Sequence, residues 1–236
     1  MVAGPPRMSA RLADFFPIIL TALVTAVVLS PLAARAARRL GWVDVPGSAP
    51  HKLHGTPTPL AGGPVLALSI AACYLILRPA NDTTVQGMLA GGLLVAAGGM
   101  LDDRRGLSPL VKLLIQLAAT AVLIVVGVRV QVTRIPAVDL ALTLLWVVGM
   151  VNAFNFVDSM DGLALGLGGI ASAFFILVTI DSGQPLLAVL SAAMLGSALG
   201  TFLYNASPAR LFLGDSGAQL LGFLLAGLGI AYVPGG

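Results

Sequence analysis

Four polar side chains recur at every third position of the segment NAFNFVDSMDG, in a sequence that is otherwise largely apolar. They are Asn152, Asn155, Asp158 and Asp161. Asparagine amides donate and accept hydrogen bonds, which suits a nucleobase edge or a ribose, whereas aspartates accept from imide or hydroxyl groups and bind metal ions. Hydrogen bonds between packed helices would explain one or two asparagines, but not a series that includes two aspartates. We therefore predict a binding face here and a helix that changes character near residue 156 and ends by residue 162.

Two adjacent carboxylates, Asp102 and Asp103, form a second polar group, in the segment GMLDDRRGLSPLVK. Adjacent carboxylates at a helix end can hold a hard cation, or one can take a proton while the other holds the metal. The alternative is a solvated turn in which they pair with the two arginines that follow. Both can serve one site only if the helix ends there, as Gly106 and Pro109 indicate.

Asp215 lies in a third segment, FLGDSGAQLLG, just ahead of an apolar run. Between small residues, a carboxylate can approach a metal ion or a phosphate group without crowding. The same four residues, Gly-Asp-Ser-Gly, also make an ordinary turn and helix cap. The functional interpretation therefore depends on which side of the molecule the segment faces.

The fourth segment, HKLHGTPTPLAGG, contains His51, Lys52 and His54. A proline-stiffened turn and a glycine pair that opens the next helix follow these residues, which suits an anion site at a helix N-terminus. A basic loop beside a membrane can instead set the topology or contact anionic lipid.

The composition indicates the elements that must position these residues. Of 236 residues, 58% are hydrophobic and 10% are charged, against about 25% charged in a soluble domain; the mean hydropathy is +0.98. We predict an all-α, polytopic membrane helix bundle in a single domain over residues 1–236, with about eight spans of roughly 20 residues. The predicted spans are 15–34, 60–77, 84–101, 110–128, 138–154, 162–180, 185–204 and 217–233.

Every second connection between the spans falls on the same side of the membrane. The connections 35–59, 102–109, 155–161 and 205–216 hold most of the lysines and arginines, which puts them in the cytoplasm. They also hold both histidines and six of the ten aspartates. Ionisable residues at membrane depth cost about 2.5–3.5 kcal/mol each, so such clustering favours a functional site over a chance gathering of acids in short loops.

The chemistry that these segments share is phosphoryl chemistry at the cytoplasmic face. Acidic groups need a cation to approach a phosphate, so we expect Mg²⁺ or Mn²⁺ between them and a phosphorylated substrate. The basic surface is too small for a nucleic-acid partner.

The four segments, in this order and separated by membrane spans, resemble the polyprenyl-phosphate N-acetylhexosamine-1-phosphate transferase family, glycosyltransferase family 4. The similarity covers about residues 50–222, and its details look more like the GlcNAc-type branch than the MurNAc-pentapeptide branch. The resemblance implies that a polyprenyl phosphate attacks the β-phosphorus of a UDP-N-acetylhexosamine, giving a polyprenyl-diphospho-sugar and UMP with Mg²⁺ assistance.

The resemblance also implies roles for individual residues. Asp102 would act near the lipid phosphate, as base or as metal partner, with Asp103 beside it. Asp215 would be the principal Mg²⁺ ligand, with Asp103 as a second metal residue, and Lys112 would contact phosphate. The expected substrate-binding residues are His51, Lys52, His54, Lys112, Asn152, Asn155, Asp158 and Asp161, of which Asn155 and Asp161 would be closest to uracil.

Further expectations concern the whole protein. It would be a multi-pass protein of the inner or plasma membrane with a cytoplasmic active face, and the resemblance leaves room for a homodimer. The chain is expected to lack the C-terminal part of the family fold, including a histidine-rich loop. A non-catalytic polyprenyl-phosphate-binding or scaffold protein is therefore the alternative, and an ion-coupled transporter is a third hypothesis.

Overall fold

The computed structural model describes residues 11–46 and 56–234, which form eight α-helices. A short 3₁₀ turn, Leu12–Phe15, precedes the first helix. These helices confirm the all-α fold class, and each overlaps one of the eight predicted spans. The helices are α1 Phe16–Arg39, α2 Gly62–Leu77, α3 Thr83–Arg105, α4 Pro109–Val125, α5 Pro136–Val157, α6 Leu163–Asp181, α7 Pro185–Asn205 and α8 Gly214–Ala231.

Six of these helices are long and apolar enough to cross a membrane. The other two, α2 and α4, have 16 and 17 residues, which at 1.5 Å per residue is slightly less than a bilayer core of about 30 Å. The chain is therefore a multi-pass membrane protein, in which α2 and α4 are the shortest elements of the bundle.

Helix α8 lies at the centre of the bundle. It is buried on almost every side, from Ser216 to Leu228, as expected of a helix that is apolar all round. Its neighbours are α3, α5, α2 and α6. Small residues let these helices approach closely: a Cβ atom on Gly222 would lie only 2.6 Å from the carbonyl oxygen of Met150 on α5. The position of α8 thus depends on contacts between backbones.

Helix α3 ends where the sequence predicts. Gly106 has a left-handed φ of 64° and its N–H donates to the carbonyl of Asp102, a common way to terminate a helix. Ser108 then caps α4 by accepting a hydrogen bond from the N–H of Val111, and Pro109 is its first residue. The turn is only three residues long, so the end of α3 and the start of α4 lie side by side.

A two-stranded hairpin, which the sequence analysis did not predict, holds the connection between α1 and α2 against the loop that leads into α8. Strand β1, Val43–Asp44, pairs antiparallel with β2, Thr58–Pro59. Beyond β2, the N–H groups of Gly62 and Gly63 donate to the carbonyls of Phe212 and Leu213, both at 3.0 Å. The end of β2 and the start of α2 are therefore fixed to the segment that carries Asp215.

Candidate functional site

The acidic segments meet at the N-terminus of α8. Gly214 has a left-handed φ of 71°, and Asp215 is the next residue, in the first turn of the helix. A carboxylate at this position is favoured by the partial positive charge of the helix N-terminus. Its side chain is partly buried, and it receives polar contacts from α3, α4 and α5.

Lys112 joins two of the predicted carboxylates. Its ammonium group forms an ion pair with Asp102 on α3 and donates a hydrogen bond of 2.9 Å to Oδ2 of Asp215. Asp102 also accepts a hydrogen bond of 2.6 Å from the N–H of Leu107, in the turn that follows α3. The structure thus brings Asp102, Lys112 and Asp215 together from three different helices, although the sequence separates Lys112 from Asp215 by 103 positions.

Asp103 contacts the backbone of α8. Its Oδ1 accepts from the N–H of Asp215 at 2.9 Å and its Oδ2 accepts from the N–H of Ser216 at 3.3 Å. These are N–H groups of the first helical turn, which have no partner within the helix. Asp103 therefore caps α8 from a neighbouring helix and fixes the position of Asp215. Its predicted role as a metal ligand stays a prediction.

Asn155 and Asp158 approach the same point from the end of α5. The Asn155 amide donates to the carboxylate of Asp215, and Asp158 accepts from the N–H of Gly214. Burial, with the nearby negative charges of Asp103 and Asp215, raises the pKa of Asp158 to about 8. The Asp158 carboxyl group is therefore mostly protonated at neutral pH in the metal-free protein.

Asn152 lies away from this cluster. Its Nδ2 donates to Oε1 of Gln116 on α4 at 2.8 Å, and Nε2 of Gln116 donates back to Oδ1 of Asn152 at 3.4 Å. The helix continues through Val157 and ends there, so the prediction that it ends by residue 162 is confirmed. Without a 3₁₀ turn to stack them, the four evenly spaced residues do not share one face, and Asn152 forms an inter-helix hydrogen bond.

Asp161 and Asn205 form one wall of the site. Oδ2 of Asp161 accepts from the N–H of Ala209 at 3.0 Å. Asn205 is buried; its Oδ1 accepts from the N–H of Gly162 at 3.0 Å and its Nδ2 donates to the carbonyl of Leu211 at 2.9 Å. The sequence analysis did not single out Asn205. The available signal was an asparagine at the end of an apolar helix, directly before the segment that carries Asp215.

A cleft of about 690 Å³ opens beside these residues, within the 300–1,000 Å³ typical of ligand sites. Its polar lining includes Asn155, Asp158, Asp161 and Asp215, and Phe156 also lines it. Predicted site residues from two of the four segments therefore line one cleft. Asp102, Asp103 and Lys112 stand behind Asp215, on the neighbouring helices α3 and α4.

His51, Lys52 and His54 lie outside the described residues, so their predicted contacts stay predictions. The two strands that flank this segment are described, and Asp44 on β1 and Leu60 just after β2 both line the cleft. The connection that carries the three basic residues thus starts and finishes beside the site.

The donor set suits a divalent cation that shares its ligands with a substrate. Within residues 11–46 and 56–234, no group of three or more Asp, Glu, His or Cys side chains is placed to hold a metal ion by itself. Carboxylate oxygens are nevertheless the hard ligands that Mg²⁺ prefers, and Mg²⁺ usually takes only one or two of them, with water and substrate phosphates completing its coordination. Asp215 fits that pattern. Asp102 and Asp103 lie beside it, and the Lys112 ammonium group lies between Asp102 and Asp215.

The fold and the site define a polytopic helical membrane protein whose predicted acidic segments meet at one end of the bundle. The family model described as glycosyl transferase family 4 matches residues 85–233. That stretch contains the acidic pair on α3, Lys112, the end of α5 and Asp215. The chain belongs to this family.

Curated relatives agree with this membership. The chain is 31% identical over 216 residues to a probable undecaprenyl-phosphate N-acetylglucosaminyl 1-phosphate transferase of Bacillus subtilis, covering 88% of this chain and 60% of the relative. It is 34% identical over 251 residues to a decaprenyl-phosphate N-acetylglucosaminephosphotransferase of Mycobacterium tuberculosis, covering 95% and 60%. A phospho-N-acetylmuramoyl-pentapeptide-transferase of Symbiobacterium thermophilum is 33% identical over 242 residues, covering 89% and 72%. The chain thus spans about 60% of the length of the first two relatives.

Proposed function

We propose that this chain carries the reaction centre of a transferase that moves N-acetylhexosamine-1-phosphate from a UDP-sugar to a polyprenyl phosphate. GlcNAc-1-phosphate is the preferred group, because the details of the four segments resemble the GlcNAc-type branch; relatives of both branches match with similar identity, 31% to 34%. The observation that carries the proposal is the contact of Lys112 with both Asp102 and Asp215 beside a cleft of nucleotide size.

In the proposed reaction, an oxygen of the polyprenyl phosphate attacks the phosphorus that bears the sugar. A new P–O bond forms to that phosphorus, and its bond to the oxygen bridging the two phosphorus atoms breaks, so that UMP leaves. Phosphoryl transfer of this kind depends mainly on positioning and on neutralising charge. Mg²⁺, held by Asp215 and the diphosphate, would supply the positive charge that allows the carboxylates and phosphates to approach each other.

The residues of the chain would then act by holding the two substrates. Lys112, released from Asp215 when phosphate arrives, would donate to a phosphate oxygen. Asp102 would keep the Lys112 ammonium in place or act as a base. The second role contributes little, because a phosphate monoester is already largely ionised near neutral pH, with a second pKa of about 6.

The cleft would bind the nucleoside. Asn155 and Asp161 offer donors and acceptors for uracil or ribose, and the side chain of Phe156, which is 83% exposed, offers a ring face for stacking. Ion-coupled transporters place their acidic residues near the bilayer midplane, in broken helices. The described acidic residues instead gather at helix ends, which favours the transferase over the transporter.

Transfer can be measured directly. Membranes containing the chain, with radiolabelled UDP-GlcNAc, polyprenyl phosphate and Mg²⁺, should form a lipid-linked diphospho-sugar and UMP, and EDTA should prevent both. Asp215→Asn should abolish the product, whereas Asp181→Asn, at the opposite end of α6, should leave it unchanged. UDP-MurNAc-pentapeptide in a parallel reaction tests the other branch. Retained binding of polyprenyl phosphate without product would instead support the non-catalytic binding protein.

We also propose that the site faces the cytoplasm at the plasma membrane. Arg38 and Arg39 end α1, and Arg104 and Arg105 end α3, on the side of the bundle that carries the site, as the positive-inside rule expects. A cysteine introduced at the exposed Ser159 should react with a membrane-impermeant maleimide in inside-out vesicles only. Labelling in intact cells would reverse the orientation.

A further inference from the structure

An amide pair joins α4 and α5 one helical turn below the site. Gln116 follows Lys112 by four residues, so the two side chains lie on the same face of α4. Asn152 precedes Asn155 by three residues on α5, so the two side chains are neighbours that diverge by about 60° around the helix. The Gln116 and Asn152 amides exchange two hydrogen bonds, of 2.8 and 3.4 Å, and Nδ2 of Asn152 also donates to the carbonyl of Val148 at 2.8 Å.

The two helices that this pair connects contact each other, but each packs mainly on a different neighbour. Helix α4 packs mainly on α3, whereas α5 packs mainly on α8. Gln116 is 2% exposed, so its amide needs a partner, and Asn152 supplies both a donor and an acceptor. The pair is therefore a direct polar link between two neighbouring helices that pack mainly on different partners.

The distance between α4 and α5 determines which side chains can contact Asp215. Lys112 from α4 and Asn155 from α5 both donate to the Asp215 carboxylate. A change in the distance between α4 and α5 would move one donor away while the other stayed. Side chains on two different helices can both donate to one carboxylate only if the helices keep a fixed position relative to each other.

We propose that Gln116 and Asn152 are positioning residues, which set α4 against α5 so that Lys112 and Asn155 bind Asp215 together. This assigns Asn152 to the support of the site and not to the nucleotide. The consequence for catalysis rests on the proposed function, whereas the effect on Lys112 does not.

The reactivity of Lys112 tests the geometric part without any turnover. The chain contains two lysines, and the Lys112 side chain is 31% exposed, so acetylation by an N-hydroxysuccinimide ester can be followed by mass spectrometry with Lys52 as the internal reference. Gln116→Leu and Asn152→Leu should each speed acetylation of Lys112 relative to Lys52 by about 3- to 15-fold, the range expected for one hydrogen-bonded pair between membrane helices.

Two further variants separate positioning from general loosening of the bundle. The exchange variant, Gln116→Asn with Asn152→Gln, restores both amides in reversed order and should return Lys112 to near its original rate. Trp146→Phe removes a different inter-helix hydrogen bond of α5, from Nε1 to the carbonyl of Ala226 at 3.2 Å, and should leave Lys112 unchanged.

Turnover provides the second readout. The leucine variants should lower kcat for sugar-phosphate transfer while the KM for the UDP-sugar changes less than twofold, and the exchange variant should recover kcat. Equal acetylation of Lys112 in all variants, or no recovery in a folded exchange variant, would overturn the positioning role. Absence of transfer by the unsubstituted chain would instead count against the proposed function. The acetylation rates would then still test whether Gln116 and Asn152 position Lys112.

Discussion

Gly99→Ala is the substitution that most directly tests how the site is held together. Gly99 lies on α3 one turn before Asp103, against the first turn of α8. A Cβ atom added at Gly99 would lie 2.5 Å from both N and Cα of Ser216 and 2.6 Å from the carbonyl carbon of Asp215. All three are backbone atoms, so no side chain can rotate away. Normal contacts begin near 3.5 Å, so α8 and α3 must separate by about 1 Å.

This displacement is large enough to break the cap. The hydrogen bond from the N–H of Asp215 to Oδ1 of Asp103 is 2.9 Å long, and about 1 Å more places the atoms beyond hydrogen-bonding distance. Overpacking of this kind costs about 1–3 kcal/mol. For a chain of this size, each kcal/mol lowers the unfolding midpoint by about 2–4 °C. Moving Asp215 by about 1 Å should also slow transfer by about 100-fold.

The assay is thermal unfolding in detergent, with transfer activity measured on the same samples. Gly149→Ala is the matched control, because a Cβ atom there meets nothing within 4 Å. It should unfold at the same temperature as the original chain or slightly higher, since alanine favours a helix over glycine by up to about 1 kcal/mol. If Gly99→Ala unfolds as late as Gly149→Ala, the close approach of α3 and α8 does not support the site as described.

Three other predictions address the charges and the wall of the site. Lys112→Met should tighten Mn²⁺ binding by about tenfold or more, as measured by electron paramagnetic resonance. The reason is that the ammonium group competes with the cation for the same carboxylates, and a charged hydrogen bond of this kind contributes about 1.5–3 kcal/mol. Unchanged or weaker binding would contradict the proposed cation site. The pKa of Asp158 is about 8 in the folded protein and about 3.9 in an unfolded chain, so the folded state binds an extra proton between these pH values. The free energy of unfolding in EDTA should therefore fall as the pH rises from about 5 to 8. Asp158→Asn should flatten that dependence. An equal slope in both proteins would refute the pKa assignment. Asn205→Leu leaves the N–H of Gly162 and the carbonyl of Leu211 without partners, at about 1–3 kcal/mol, and should raise the KM for the UDP-sugar more than it lowers kcat; an unchanged KM would separate Asn205 from the nucleotide cleft.

The sequence predicted the helices well because membrane helices must satisfy their own backbone hydrogen bonds, so length and composition nearly determine each span. The end of α3 was also readable, since Gly106 and Pro109 stop and restart a helix by local chemistry. The hairpin of Val43–Asp44 with Thr58–Pro59 was not, because two-residue strands form only where tertiary contacts bring them together.

Much of the candidate site was also readable from residue types. Asp102 and Asp215 could be selected from the sequence, since charged groups at membrane depth are costly and rarely kept without a function, and the family resemblance added Lys112. Asn152 and Asn155 belong to one evenly spaced series in the sequence, but the structure gives them different partners. On a continuous α-helix, three residues amount to 300°, so the two side chains diverge by about 60°, and their partners come from different helices.

By itself, the sequence determined that the chain is a bundle of about eight membrane helices, with its acidic segments at one end. Those properties follow from hydrophobicity and charge, which act on each segment separately. Only the tertiary structure decided that Asp103 caps α8, that Lys112 stands between Asp102 and Asp215, and that Asn152 binds Gln116. The reason is that these contacts depend on distances between helices, which are set by glycines such as Gly99 where backbones touch, and no single segment contains that information.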